Sequence, residues 1–117
     1  MTPGQVLKNL GWPAALVSPA QIAANTNDWN PGTAGIIRVS TDAARDITGM
    51  LAGVHGQPVI IANIGGFNAV LKHQDALSAA ENRWLSTTGA DLTLVPDDVA
   101  IGFYDATTAR WRVALLP

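Results

Sequence analysis

The last twenty residues, 97–116, do most to restrict what this chain can fold into. Val99, Ile101 and Phe103 alternate with Ala100, Gly102 and Tyr104. After a polar stretch, 105–109, Trp111, Val113 and Leu115 alternate with Arg110, Arg112 and Ala114. Period-two alternation on both sides of a short turn predicts a β-hairpin. One face would set Val99, Ile101, Phe103, Trp111, Val113 and Leu115 against a core. The other would stand two arginines on a surface that meets water or a partner.

The same signals recur upstream. Short strands are expected at 36–40, 46–51, 58–64, 67–72 and 91–95, separated by glycine-rich or polar turns. The run 58–64 is the most apolar of these, broken only by Asn63, as suits a strand covered on both faces. With the turn around Gly65-Gly66 it should form a second hairpin over 57–73. Segment 74–86 breaks the pattern and suits one or two helical turns or an irregular crossover. Seven short strands predict an all-β chain, an antiparallel β-sandwich or small jelly-roll-like barrel. Neither a 20- to 50-residue repeat nor heptads stand out. The expected core is Ile60, Ala62, Leu92, Leu94, Ile101, Phe103 and Val113, with Phe103→Ala costing about 3–5 kcal/mol.

Residues 1–34 differ from 35–117. They hold four of the seven prolines, which interrupt any ladder. Yet Val6, Leu10, Trp12, Leu16, Val17 and Ile22 demand burial. The expectation is an extended N-terminal arm at 1–34, packed on a neighbouring subunit or on its own β-domain at 35–117. The turn cluster 27–32 would bring Trp29 to an edge of the core.

Composition excludes several functions. The chain has 117 residues, a net charge of −2 and no cysteine. Disulfides, zinc–thiolate sites and thiol catalysis are therefore out. The few cations are scattered, so nucleic acid is not an expected partner. No apolar run approaches 18 residues and no signal peptide is apparent, so membrane insertion is not expected. Charged residues are 14% against 48% hydrophobic. So low a charge density suggests surface covered by other copies of the chain.

Catalytic signatures are missing. Asp97 and Asp98 are adjacent, which in a strand sends them to opposite faces. His55 and His73 lack a third ligand signal. No G-x-S-x-G or phosphate-loop pattern occurs. The chain is read as a non-enzyme without cofactor or metal. The candidate contact residues are Trp12, Trp29, Arg83, Trp84, Arg110 and Trp111, because Trp and Arg are the types most enriched at interface hot spots. The competing reading places the tryptophans in the core.

Several stretches together resemble a β-rich module of tailed-bacteriophage virion proteins. They are the Asn27-Asp28-Trp29-Asn30-Pro31 turn, Ile47-Thr48-Gly49, Gly56-Gln57 leading to Asn63-Ile64-Gly65, Leu71-Lys72-His73, Ser78 with Glu81-Asn82-Arg83, and Tyr104-Asp105 with Arg110 to Val113. The resemblance runs over about residues 18–116. It implies a structural role, usually as a homotrimer, with no fixed catalytic residues. The chain is short for a fibre and has no shaft. The expectation is a homotrimeric capsid decoration or head-spike protein of the virion, made in the bacterial cytoplasm. It would bind the major capsid protein or other virion proteins through its arm. The alternative is a tail-fibre receptor-binding module for host-surface glycan.

Overall fold

The C-terminal hairpin forms, and the described residues before it wind up to meet it. The computed structural model describes residues 15–33 and 35–117. Its strands are β1 (Leu16–Val17), β2 (Ile36–Val39), β3 (Arg45–Ile47), β4 (Pro58–Asn63), β5 (Ala69–Leu71), β6 (Trp84–Ser86), β7 (Leu92–Leu94), β8 (Val99–Asp105) and β9 (Arg110–Leu115). Six make one sheet in the order β1-β2-β4-β8-β9-β6, and three make another, β3-β5-β7. The all-β expectation holds. In segment 74–86 the helical content is one 3₁₀ turn, Ala80–Asn82.

The antiparallel sandwich or jelly-roll-like barrel is corrected. The first half of the chain coils in parallel, as a short β-solenoid. Leu16 aligns with Ile36, twenty positions later, and Ile36 with Ile60, twenty-four positions later, both in parallel. The alignment continues around the coil. Bridges join Ile22 to Thr41, Thr26 to Ile47 and Trp29 to Met50, and β3 lies parallel to β5. Backbone hydrogen bonds stitch each turn to the next, as from Thr26 N to Asp46 O (2.8 Å) and from Ile64 N to Val39 O (2.9 Å). Residues 15–29 of the segment read as an arm thus form the first coil, with Ile22 and Trp29 buried. Residues 1–14 lie outside the described residues.

The expected second hairpin over 57–73 does not form, because the chain turns a corner after β4. β4 stays in the six-stranded sheet, and β5 enters the three-stranded one. β7 and β8 then run antiparallel to β5 and β4.

The core lies between the two sheets. Val59 and Ile61 from β4, Ala100 and Tyr104 from β8, and Trp111 and Val113 from β9 face Ile47, Leu71, Leu92 and Leu94. Leu92, Leu94 and Val113 are buried as expected. Ile60, Ala62 and Ile101 are only half-buried, and Phe103 is 46% exposed. These four stand on the outer face. The cause is pairing register: Tyr104, not Phe103, sits opposite Trp111, and Phe103 sits opposite Arg112. A one-residue change of register exchanges the two faces of a strand. Gly102 makes the inner face of β8 possible, since a Cβ there would run into the Arg112 carbonyl oxygen and Val113.

A polar knot fastens the first coil to segment 75–82. Asp28 has φ 50°. Its N–H donates to Ser78 Oγ (2.9 Å), and its Oδ1 accepts from Ala79 N and Asn82 Nδ2 (2.9 Å each). Ser78 Oγ also pairs with Thr48 Oγ1 at 2.7 Å. The Asn82 amide, then the Ala79 N–H, holds the Asp28 carboxyl below its ordinary range. An acid whose folded value is depressed adds stability above its unfolded value, about pH 4, and loses it as pH falls through the folded value. Asp28→Asn tolerates the positive φ and keeps an acceptor. It is expected to flatten the fall of stability between about pH 4 and pH 2. Urea unfolding across that range checks this, and a slope identical to that of the unsubstituted chain would refute it.

Candidate interaction surface

The residues expected at contacts are placed as follows. Trp12 lies outside the described residues. Trp29, Trp84 and Trp111 are buried, the last two at 0% and 1% exposure. For the last two, the indole N–H groups explain why they can be: Trp84 Nε1 donates to Ile47 O, and Trp111 Nε1 to Met50 O, both at 3.0 Å. A buried indole needs such a partner. Arg83 Nε donates to Ser78 O (3.0 Å). Arg110 donates to Gln74 Oε1 (2.6 Å) and Ala80 O (2.8 Å). Arg110, at the start of β9, therefore clamps segment 74–83 to the six-stranded sheet, and the Arg83 side chain braces that segment internally.

The surface built for contact is the outer face of the six-stranded sheet. Its register places Leu16, Ile36, Ile60, Ile101 and Ala114 side by side across five strands. All five alternate with inward-facing neighbours, so they form one apolar row turned away from the core. A second row holds Pro58, Phe103, Arg112 and Leu85. Between them an open groove of about 730 Å³ lies over β8, β9 and β6, with Phe103, Ile101 and Leu85 in its lining. Leu16 and Phe103 are 56% and 46% exposed. Scattered exposed apolar residues are ordinary, but a contiguous apolar face marks an interaction site.

Charge on this face is small and mostly neutralised. Arg112 Nε bonds Asp105 Oδ2 at 2.7 Å along the hairpin. That hydrogen bond holds the Asp105 carboxyl below its usual range. Arg38, on β2, donates to Ser18 Oγ (3.2 Å).

Among the described residues, no three His, Cys, Asp or Glu side chains gather where a metal ion could bind. His55 Nδ1 accepts from Ala106 N (3.1 Å) and His73 Nδ1 from Ser86 N (3.0 Å), so each imidazole braces a loop. Asp97 has φ 73° and Asp98 Oδ2 accepts from Val95 N (3.2 Å), which makes the acidic pair a turn. No nucleophile–base pair stands in the groove, whose lining offers one charged side chain, Arg112.

The sequence signal for this face was the strength of the Val99, Ile101, Phe103 set. Alternation with Trp111, Val113 and Leu115 points that set inward. The turn chemistry held the contrary signal. Asp105 Oδ1 caps Thr107 N (3.0 Å) and Ala109 takes φ 55°, which sets Asp105 opposite Arg110 and turns Phe103 outward.

Phe103→Ala is accordingly expected to cost under about 1 kcal/mol of folding stability in dilute protein, since a half-exposed ring leaves no cavity. A loss of about 3 kcal/mol or more would return Phe103 to the core.

Compared with protein-family models, curated proteins and solved structures, the chain matches none.

Proposed function

We propose that this chain is a structural protein of a tailed-bacteriophage virion, acting as a homotrimeric capsid decoration or head-spike protein. The observation that carries the assembly part is the apolar row from Leu16 to Ala114 on the outer face, with its groove beside Phe103. A chain that is 14% charged and leaves such a face open gains by covering it with a copy of itself or a capsid protein. The virion part rests on the resemblance of residues 18–116 to virion β-modules. Attachment to the capsid would use residues 1–14, which precede the first coil. A truncation through residue 26 would strip Val17 and Ile22 from that coil, so a deletion that tests attachment ends before Leu16.

The alternative, a tail-fibre module for host-surface glycan, would use the same groove. Phe103 would stack on a sugar and Arg112 would donate to its hydroxyls or carboxylate. It ranks second because Trp84 and Trp111, the stronger platforms, are buried.

Phe103→Asp in the full chain separates the readings from a purely internal role. Light scattering over a dilution series should find a trimer for the natural sequence and a monomer for the variant. Co-sedimentation with capsid shells should fall in parallel. A natural chain that is a strict monomer at high concentration and ignores shells would reject the proposal. Retention on a host polysaccharide column, lost in the variant, would favour the alternative.

A further inference from the structure

We infer that the groove over β8, β9 and β6 of one copy receives a corner of another, formed by Ile64, Phe67 and Val95, with Asp97 of the corner beside Arg112 of the groove. The inference rests on the assembly reading above and names the residues that a second copy brings to that surface.

The corner is an exposed apolar knob. Ile64, Phe67 and Val95 are 46%, 51% and 43% exposed. They come from two turns that one buried side chain joins, since Asn63 Nδ2 donates to both Phe67 O and Leu94 O. The knob is also braced. Asn63 Oδ1 accepts from Gly65 N, Asp98 Oδ2 accepts from Val95 N, and Asp97 N–H donates to Asn63 O (2.8 Å). A knob already fixed in shape loses little freedom when it docks. Symmetry asks for such a second patch. A ring of three joins unlike surfaces, so each copy must offer two of them. The outer face is one. The corner lies on a different side, because it closes the ends of β4 and β7, whereas the groove opens across β8, β9 and β6. Both patches can therefore be engaged at once, by two neighbours.

Charge chooses the pairing. At the outward positions of the six-stranded sheet, Arg38, Arg110 and Arg112 stand against one carboxylate, Asp105. The corner segments 63–68 and 94–98 carry Asp97 and Asp98 and no cation. Arg112 lines the groove itself. Its Nε bonds Asp105, which leaves the far edge of the guanidinium to a second carboxylate. Groove against groove would set arginine against arginine, and corner against corner would set carboxylate against carboxylate. Like charges brought together across an interface are costly. Groove against corner sets opposite charges together and removes apolar surface from water on both sides. Phe67 is the largest side chain of the knob and serves as its anchor, ringed by smaller contacts.

The chain has no cysteine, which makes the test direct. Gly66→Cys and Thr87→Cys are introduced together in the full chain. A Cβ at Gly66 meets nothing within 4 Å, and Thr87 is exposed at the groove rim. Within one chain they follow β4 and β6, three places apart in the sheet and about 14 Å, beyond the span of about 7 Å that a disulfide bridges. After mild oxidation, disulfide-linked species that end at the trimer on a non-reducing gel support the inference. A ladder that runs on past the trimer overturns the closed ring. Covalent dimers from either substitution alone overturn the pairing of unlike surfaces. No disulfide in a protein that is trimeric by light scattering overturns the inference, while leaving the assembly reading intact. No disulfide in a strict monomer overturns both. A further variant, Phe67→Ala, should leave urea unfolding of the dissociated chain unchanged, since the ring is half-exposed. It should raise the concentration at which the trimer dissociates by about 30-fold. Asp97→Asn, which tolerates the positive φ, should raise it a few-fold at low salt and by less at high salt. An unchanged dissociation profile for Phe67→Ala would overturn the assignment of the corner, and one for Asp97→Asn would overturn its pairing with Arg112.

Discussion

Trp111→Ala is expected to remove about 4 kcal/mol of folding stability. Trp111 is 1% exposed and joins parts of the fold that are remote in sequence. Its ring meets Tyr104 edge-on, with centroids 5.0 Å apart, and lies 6.4 Å from Trp84. Its Nε1 donates to Met50 O and Leu51 O, at 3.0 and 3.2 Å, in the second coil. Met50 in turn bridges to Trp29 of the first coil. One side chain thus ties the hairpin to two turns of the solenoid. Truncation removes the ring's transfer free energy, leaves a cavity, and orphans buried carbonyls. Domains of this size are stable by about 5–15 kcal/mol, so the variant would stand near the edge of folding. Urea unfolding at matched protein concentration should place its midpoint roughly 2 M lower, for a slope of about 2 kcal/mol per M. Trp111→Phe keeps most of the ring and loses the donor, and should fall between. A loss under about 1 kcal/mol for Trp111→Ala would mean that the ring does not hold the hairpin to the coils.

The all-β character was legible because alternation over 99–115 is long and strong. The parallel coiling was not. Strands of two to four residues carry no mark that tells parallel from antiparallel pairing. The spacing between coils also changes, from twenty at Leu16–Ile36 to twenty-four at Ile36–Ile60. A β-branched aliphatic recurs at Val17, Ile37 and Ile61, but Ile22 stacks on Thr41, and Thr26 on Ile47. A fixed period is therefore absent although the backbone winds regularly. The contact surface was misread for a related reason. Trp84 and Trp111 have the composition of contact residues, and their burial depends on carbonyls at Ile47 and Met50 that sequence spacing does not bring near. The outer face, by contrast, is made of Ile60, Ile101 and Phe103, which as residue types belong inside. What turned them outward was the length of one turn.

Asn63→Leu is expected to cost about 3 kcal/mol although it adds apolar volume to the core. Asn63 is fully buried at the corner where the chain leaves β4 for β5. Its Nδ2 donates to Phe67 O and Leu94 O, each at 2.8 Å, and its Oδ1 accepts from Gly65 N at 3.1 Å. The amide thereby closes the corner loop and pins the end of β7 to it. Leucine matches the shape and supplies none of these bonds. The buried Leu94 carbonyl would be left without this partner, at about 1–3 kcal/mol, and the part-buried Phe67 carbonyl and Gly65 N–H would add smaller losses, partly offset by the transfer of a leucine side chain from water. Asn63→Asp adds a test that depends on charge and not on volume. An ionised carboxylate would face two carbonyl oxygens, so the folded state favours the protonated acid and raises its pKa. An acid raised in the folded state loses stability as pH climbs above its unfolded value, near pH 4. The aspartate variant should therefore be markedly less stable at pH 7 than at pH 4 relative to the natural chain, the reverse of the trend that Asp28 confers. The leucine variant should show no such added pH dependence. Equal stability of the natural and leucine chains would mean that the corner is held by packing alone, and the amide's three bonds add nothing to it.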